Sequence, residues 1–153
     1  MPATYSIGEA ARETGLGIHT LRYYESEGVL VDEPQRSPTG RRCYTENDIE
    51  WLIVCRRLRE TGMPIESLSR YAALLREGTE TEHERLKLLT AHRGKVIDSI
   101  NQLKSNLELI DLKIDAYRRN LRRVRDGQDL PASTQGRIEL QPQPNQEDAS
   151  TTS

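Results

Sequence analysis

The chain has no phenylalanine, one tryptophan and two cysteines in 153 residues. Two thiols, Cys43 and Cys55, cannot build a disulfide framework, and their spacing matches no zinc motif, so neither staple nor thiolate metal centre carries the fold. No apolar run is long enough to span a bilayer. The opening stretch, MPATYSIGEAARE, lacks the apolar core of a secretory signal. These absences predict a soluble, cytoplasmic protein with no membrane partner and reduced thiols. Charge of one sign is lacking too. The formal net charge is -2, so bulk charge argues for no acidic partner, and any basic surface must be local.

What is present is unevenly spread. Residues 1–78 hold ten Lys/Arg against twelve Asp/Glu, residues 79–125 eleven against seven, and residues 126–153 one against five. The last stretch is rich in Gln, Pro, Ser, Thr and Asp, with Leu130, Ile138 and Leu140 as its large apolar residues. It cannot bury enough surface to fold, so 126–153 is expected to be a disordered acidic tail.

Ahead of that tail the chain reads as mainly helical. Ser6-Ile7-Gly8-Glu9 has the spacing of a capping box, opening a short helix that Gly15 stops. A second helix starts near Ile18 and ends at Gly28, a plausible C-terminal cap. Two short helices joined by a tight Gly-bearing turn form a helix-turn-helix. Within the second, Ile18, Leu21 and Tyr24 have inward spacing. Adjacent residues on a helix point about 100° apart, so Tyr23 must face away from whatever covers Tyr24. His19, Thr20, Arg22 and Tyr23 thus fall on the exposed side.

Val29-Leu30-Val31 has strand character, and the Ser37-Pro38-Thr39-Gly40 cluster reads as a turn into Arg41-Arg42-Cys43-Tyr44. Together they predict a small hairpin, or wing. On an alternating strand Arg42 and Tyr44 share one face, Arg41 and Cys43 the other. Between Pro34 and Tyr44 lie three arginines and no acid: this is the local basic patch. Thr45 with Asp48 is a weaker capping signature, opening a helix that carries Ile49, Leu52, Ile53 and Leu58. After Gly62, Pro64 suits the first position of another helix, which Gly78 ends.

From Leu86, steps of three and four give Leu86, Leu89, Arg93, Val96, Ile100, Leu103, Leu107, Ile110, Ile114, Tyr117, Leu121 and Val124, eleven of the twelve apolar. Sustained a/d spacing signals a coiled coil. A helix of roughly 40 residues spans about 60 Å, too long to bury its stripe on so small a head. It calls for a partner helix, although folding back onto its own domain is the bland alternative.

A helix-turn-helix, a wing, two more helices and a dimer-forming helix make a DNA-binding architecture. A helix fits the major groove, where outward polar residues read base edges or hold phosphates. Arg22 is a rigid fork suited to phosphate or guanine. Tyr23 offers a hydroxyl to phosphate and a ring to sugar. Arg42 and Tyr44 would reach a neighbouring stretch of backbone from the wing.

In this ordered set the sequence resembles the MerR family of bacterial transcription regulators. The matching residues are Tyr5 to Ala11, Thr20-Leu21-Arg22-Tyr23-Tyr24-Glu25, Gly28-Val29-Leu30, Gly40-Arg41-Arg42-Cys43-Tyr44, Asp48-Ile49-Glu50-Trp51-Leu52 and Gly62-Met63-Pro64-Ile65. The resemblance covers about residues 5–78, with the long helix, about 79–125, alike in kind. It implies a winged helix-turn-helix head and a homodimer held by an antiparallel coiled coil. It also implies a near-palindromic promoter operator, bent and untwisted so that RNA polymerase engages it. By the family pattern, Arg22 and Tyr23 contact DNA from the recognition helix, and Arg42 and Tyr44 anchor the wing. Two departures stand out. Gly17 replaces a common Ser or Thr at a helix start, costing only a few tenths of a kcal/mol in capping, and Pro64 lacks an amide that could meet a phosphate.

Sensing is less legible. No cysteine follows Cys55, which speaks against thiolate metal sensing, and the tail supplies no folded drug-binding domain. A short subgroup responds to aldehydes or thiol stress through a cysteine in the helix after the wing. Cys55 lies in that helix, where Arg56, Arg57 and Arg59 could lower its pKa. Equally, Cys55 can be a small buried hydrophobe. No cofactor is expected. There is no convergent nucleophile, base and acid, no phosphate-cradling loop and no metal-ligand cluster, so the chain does not read as an enzyme. The rival from another class is a coiled-coil interaction protein whose head binds protein instead of DNA.

Overall fold

The structure, a computed structural model, describes residues 3–127. The expected disordered tail therefore lies, apart from Asp126 and Gly127, outside the described residues. Five helices, α1 (Ile7–Thr14), α2 (Ile18–Ser26), α3 (Glu46–Glu60), α4 (Ile65–Glu77) and α5 (Glu82–Arg125), accompany three short strands, β1 (Thr4–Ser6), β2 (Gln35–Arg36) and β3 (Arg42–Thr45). The chain divides into two units. One runs to Leu103 and contains the head and the opening part of α5; the other begins at Lys104 and contains the remainder of that helix.

Both capping boxes form. The Glu9 amide donates to Ser6 Oγ at 3.3 Å and the Ser6 amide to Glu9 Oε2 at 2.7 Å; accepting these bonds holds the Glu9 carboxyl below its usual range. Thr45 and Asp48 exchange the same pair of bonds at the start of α3. Gly15 ends α1 with φ at +72°, the left-handed conformation that favours glycine. Thr14, fully buried beside it, spends its hydroxyl on Ala10 O and accepts the Leu16 amide. Its carbonyl receives Arg56 Nη1 from α3 at 2.8 Å, so the turn between α1 and α2 is bolted to the next layer.

The core draws on four helices and one strand of the head: Ala10 from α1, Leu21 and Tyr24 from α2, Tyr44 from β3, Leu52 and Cys55 from α3, Leu68 from α4, with Val29, Leu30 and Met63 from the connections. Val29-Leu30-Val31 is not a strand. Val29 and Leu30 plug the core, and side chains take the backbone carbonyls that a strand would pair: Trp51 Nε1 donates to Val29 O at 2.7 Å, and Arg76 donates to Gly28 O and Leu30 O. The sheet instead has the order β1-β3-β2, antiparallel throughout, with Tyr5 opposite Tyr44 and Arg36 opposite Arg42. Pro64 stands one position earlier than expected, as the N-cap of α4. Ile18 remains exposed, leaving Leu21 and Tyr24 to carry the buried face of α2.

The opening of α5 is fastened to the head. Leu88 and Leu89 pack against the core, Arg70 on α4 meets Glu84 at 3.0 Å, and Thr81 bonds Leu74 O and Gly78 O. Thr61 Oγ1 lies 2.7 Å from His92 Nε2. The Thr61 hydroxyl also lies 2.7 Å from Leu58 O, so it links the end of α3 to α5.

Candidate nucleic-acid interface

Helix α2 presents its sequence-predicted residues outward. His19, Arg22 and Tyr23 are exposed and Thr20 is half-buried. Leu21 and Tyr24 hold the inner face, and the rings of Tyr23 and Tyr24 stand 6.5 Å apart, tilted by 44°. The tyrosine pair is thus divided between core and surface, as helical geometry requires. Burial raises the Tyr24 hydroxyl pKa.

The wing tip closes on itself. Ser37 N donates to Arg41 O at 2.7 Å, Gly40 N to Ser37 O at 2.8 Å and Arg41 N to Ser37 Oγ at 3.2 Å. This turn leaves the side chains of Arg36 and Arg41 in solvent. Arg22, Arg36 and Arg41 line one cleft of about 590 Å³ with Arg42, Glu25 and the start of α1, Ser6-Ile7-Gly8. With Arg42 paired to Glu25, three exposed guanidinium groups, those of Arg22, Arg36 and Arg41, make this the basic surface that the net charge hides.

Two expected contact residues turn inward: Tyr44 is a core residue, and the Arg42 side chain is largely covered. Arg42 and Tyr44 do share a face of β3, but β3 is the central strand and that face turns inward. Tyr44 is fully buried, its hydroxyl finds no hydrogen-bond partner in the protein, and burial raises its pKa. The Arg42 side chain is only 7% exposed; its guanidinium stacks over the Tyr44 ring at 4.5 Å and lies 3.3 Å from Glu25 at the end of α2. Arg42 also donates to Gln35 O and Cys43 O. It joins the wing to α2, and its contacts within the protein occupy most of the guanidinium. Arg36 is the residue that sequence reasoning overlooked. It belonged to the acid-free arginine run, but a β2 strand that places it beside the turn was not legible.

Cys55 is a core residue. It is fully buried, and desolvation pushes its thiol up to about 12. The neighbouring arginines do not offset this: Arg56 is spent on Thr14 O and Arg59 on Met63 O. Burial, and not the adjacent cations expected to lower its pKa, therefore sets the state of Cys55. Cys43 is half-buried.

On α5, Leu86, Ile100, Leu103, Leu107, Ile110, Ile114, Tyr117 and Leu121 are exposed, while Val96 and Leu89 are half-buried, Leu89 partly under its own head. So long an uncovered apolar stripe on a helix is unusual for a surface meant to stay in water. Among the described residues no helix is long and apolar enough to cross a membrane, and no three His, Cys, Asp or Glu side chains are grouped to hold a metal ion.

Comparison with known proteins agrees with this geometry. Residues 5–75 match the model of the MerR HTH family regulatory protein. An uncharacterised HTH-type transcriptional regulator of Haemophilus influenzae is 34% identical over 116 residues, which is 76% of this chain and 85% of that protein. The uncharacterised HTH-type transcriptional regulator YyaN of Bacillus subtilis is 32% identical, over 74% of this chain and 90% of its own. Among solved structures, HiNmlR, a MerR family regulator lacking the sensor domain and bound to promoter DNA, superposes with a TM-score of 0.68 at 32% identity, covering 76% of this chain and 92% of that one.

Proposed function

The chain belongs to the MerR family and is a DNA-binding transcriptional regulator, and from that premise we propose that it grips a near-palindromic promoter operator as a homodimer and distorts the duplex to control RNA polymerase. The observation that carries the reading is the shared cleft in which Arg22 of α2 and Arg36 and Arg41 of the wing converge. Recognition helix and wing then address adjacent stretches of one duplex. His19, Thr20 and Tyr23 supply polar edges for the major groove, and the arginines supply phosphate contacts that fix the register. The Glu25–Arg42–Tyr44 assembly holds the two parts in fixed relation.

Two heads on a dimer reach two half-sites, so operator symmetry mirrors protein symmetry. A rigid pair of heads whose spacing differs from that of relaxed half-sites is satisfied by bending and untwisting the DNA, at a cost of order 1–6 kcal/mol repaid by contacts. The exposed stripe of α5 is the dimer surface, paired antiparallel. The promoter DNA held by HiNmlR supports the operator part of this reading. The place of action is the cytoplasm, where the promoter is. Sensing through Cys55 forms no part of it, because that thiol is sealed in the core.

Binding of the full chain to its own promoter region, followed by fluorescence anisotropy across a salt series, tests the reading. Log affinity should fall linearly with log salt, and Arg22→Ala or Arg41→Ala should each reduce the slope by about 0.9 for every phosphate no longer neutralised. A salt-independent affinity, or two variants indistinguishable from the parent, would assign the head to a protein partner. End-labelled operator should shorten in energy-transfer measurements on binding; an unchanged end-to-end distance would remove distortion from the mechanism.

A further inference from the structure

The long helix carries more information than the existence of a dimer. Its apolar stripe is interrupted once, by Arg93, and its ends are oppositely charged: Glu82 and Glu84 stand in the first turn, Arg122, Arg123 and Arg125 in the last. Arg93 is exposed and so is Tyr117, the aromatic residue of the stripe. Resting on the dimer reading above, we infer that a second copy docks antiparallel in one register, with Leu103 against Leu107 of the partner copy at the centre, Arg93 over Tyr117 of the partner copy, and Leu86 against Val124 at the ends.

Two arguments point to this register, and a third to the antiparallel sense. In an antiparallel pair, a positions face d positions, and this alignment alone pairs every position of the stripe with another. Slipping by one heptad in either direction strands two seam residues of each copy in water at one end of α5. Next, Arg93 is the residue with most to lose. A parallel in-register pair would set it against its own copy, placing like charges in a closing seam. A slip of one heptad sets it against Ile110 or Val124. Only the stated register gives the guanidinium an aromatic face, an attraction that strengthens as water leaves. Finally, antiparallel docking brings Glu82 and Glu84, which meet Arg85 and Arg70 of their own copy, into the field of the basic last turn of the other. A parallel dimer would gather acids with acids and arginines with arginines. Arg93 is then a register-setting residue, of the kind that gives up some stability to exclude competing alignments.

Nitroxide labels at Asp98→Cys, Leu112→Cys and Arg119→Cys test this, each introduced singly into the full chain carrying Cys43→Ser, with Cys55 buried. All three sites lie opposite the seam, and pulsed dipolar spectroscopy reads the distance between copies. The expected register separates the paired sites by about 21 Å along the axis for both Asp98 and Leu112, and by about 42 Å for Arg119, at about 1.5 Å per residue. Equal distances at Asp98 and Leu112, with a longer one at Arg119, support the inference. A one-heptad slip moves one of the first two to about 10 Å and the other to about 32 Å, overturning the register while leaving the dimer. Equal short distances at all three sites mean a parallel pair and overturn the inference. Absence of dipolar coupling means no dimer and removes both readings. With Arg93→Leu, the single distance at Leu112 should split into offset populations; an unchanged single distance would show that Arg93 does not set the register.

Discussion

Arg42 gives the sharpest test of the site, because sequence and structure assign it opposite jobs. As a phosphate contact its loss would weaken DNA binding and leave stability within about 0.5 kcal/mol, as surface substitutions usually do. In the structure the side chain is 7% exposed, 3.3 Å from a Glu25 that is itself 28% exposed, and stacked at 4.5 Å over Tyr44. Removing one member of a fully buried ion pair costs about 3–5 kcal/mol, and the exposure of Glu25 lets water recover much of that. Removal of the cation–π interaction adds about 1 kcal/mol, and removal of the buried stem about 0.8 kcal/mol per methylene. Against these stands Arg42 Nη2, which lacks a hydrogen-bond partner in the protein and whose removal returns about 1–3 kcal/mol. The balance is a destabilisation of about 2–3 kcal/mol, or roughly 30- to 150-fold in the folding equilibrium. At a urea m-value of about 1–3 kcal/mol/M this moves the midpoint of Arg42→Ala by about 0.7–3 M, measured at fixed protomer concentration because a dimer's stability depends on it. Once folding is corrected for, the salt slope of DNA binding should match the parent. A variant as stable as the parent, with its slope reduced by about one, would show that Arg42 holds phosphate after all.

Other residues give independent checks. Gly15→Ala should cost about 1–2 kcal/mol for its left-handed backbone, plus the displacement of Arg56, whose Nη1 would sit 2.4 Å from the new Cβ; in an Arg56→Ala background thermal unfolding should show the backbone part alone. Iodoacetamide should alkylate Cys43 in the native protein and reach Cys55 only at the rate of global unfolding, so fast native labelling of Cys55 would refute its burial. Because the folded Cys55 thiol is raised from 9.0 to about 12, its contribution is fully present below pH 9 and is lost as pH climbs toward 12. The stability difference between parent and Cys55→Ala should therefore shrink by about 1.4 kcal/mol per pH unit in that window, and a flat difference would deny the shift. Tyr23→Phe should keep the urea midpoint and lose operator affinity by roughly tenfold, the worth of one hydrogen bond to a charged group; unchanged affinity would leave the exposed hydroxyl without a role.

The capping boxes at Ser6 and Thr45, the glycine stop after Thr14 and the split of Tyr23 from Tyr24 were all legible, because each depends on residues within one or two turns of each other. The wing was legible as a turn and illegible as a sheet. Nothing local says that Thr4–Ser6 supplies the strand that places β3 in the centre, and without that strand the face shared by Arg42 and Tyr44 has no inside or outside. Val29 and Leu30 have strand-forming side chains, but Trp51 and Arg76, more than twenty residues away in sequence, hold their carbonyls. Cys55 fails the same way: three nearby arginines look activating in one dimension, and in space two of them are turned to carbonyls of the backbone.

These long-range ties bear on how dimer and operator match. The opening turns of α5 are fixed to the head through Leu88, Leu89, Glu84 and His92, and Arg42 fixes the wing to the recognition helix. Sliding one α5 past its partner therefore carries the DNA-reading surface with it. A slip of one heptad is about 10 Å, or roughly three base pairs at 3.4 Å each, close to a third of a turn. A head displaced by that amount along the duplex meets backbone where it should meet groove. A seam of leucines and isoleucines alone tolerates such slips with modest loss, since most apolar pairs re-form one heptad along. A single arginine with a single aromatic residue to receive it does not. The least apolar position of the stripe is thus where the protein specifies the distance between its heads, and through it the operator it can hold.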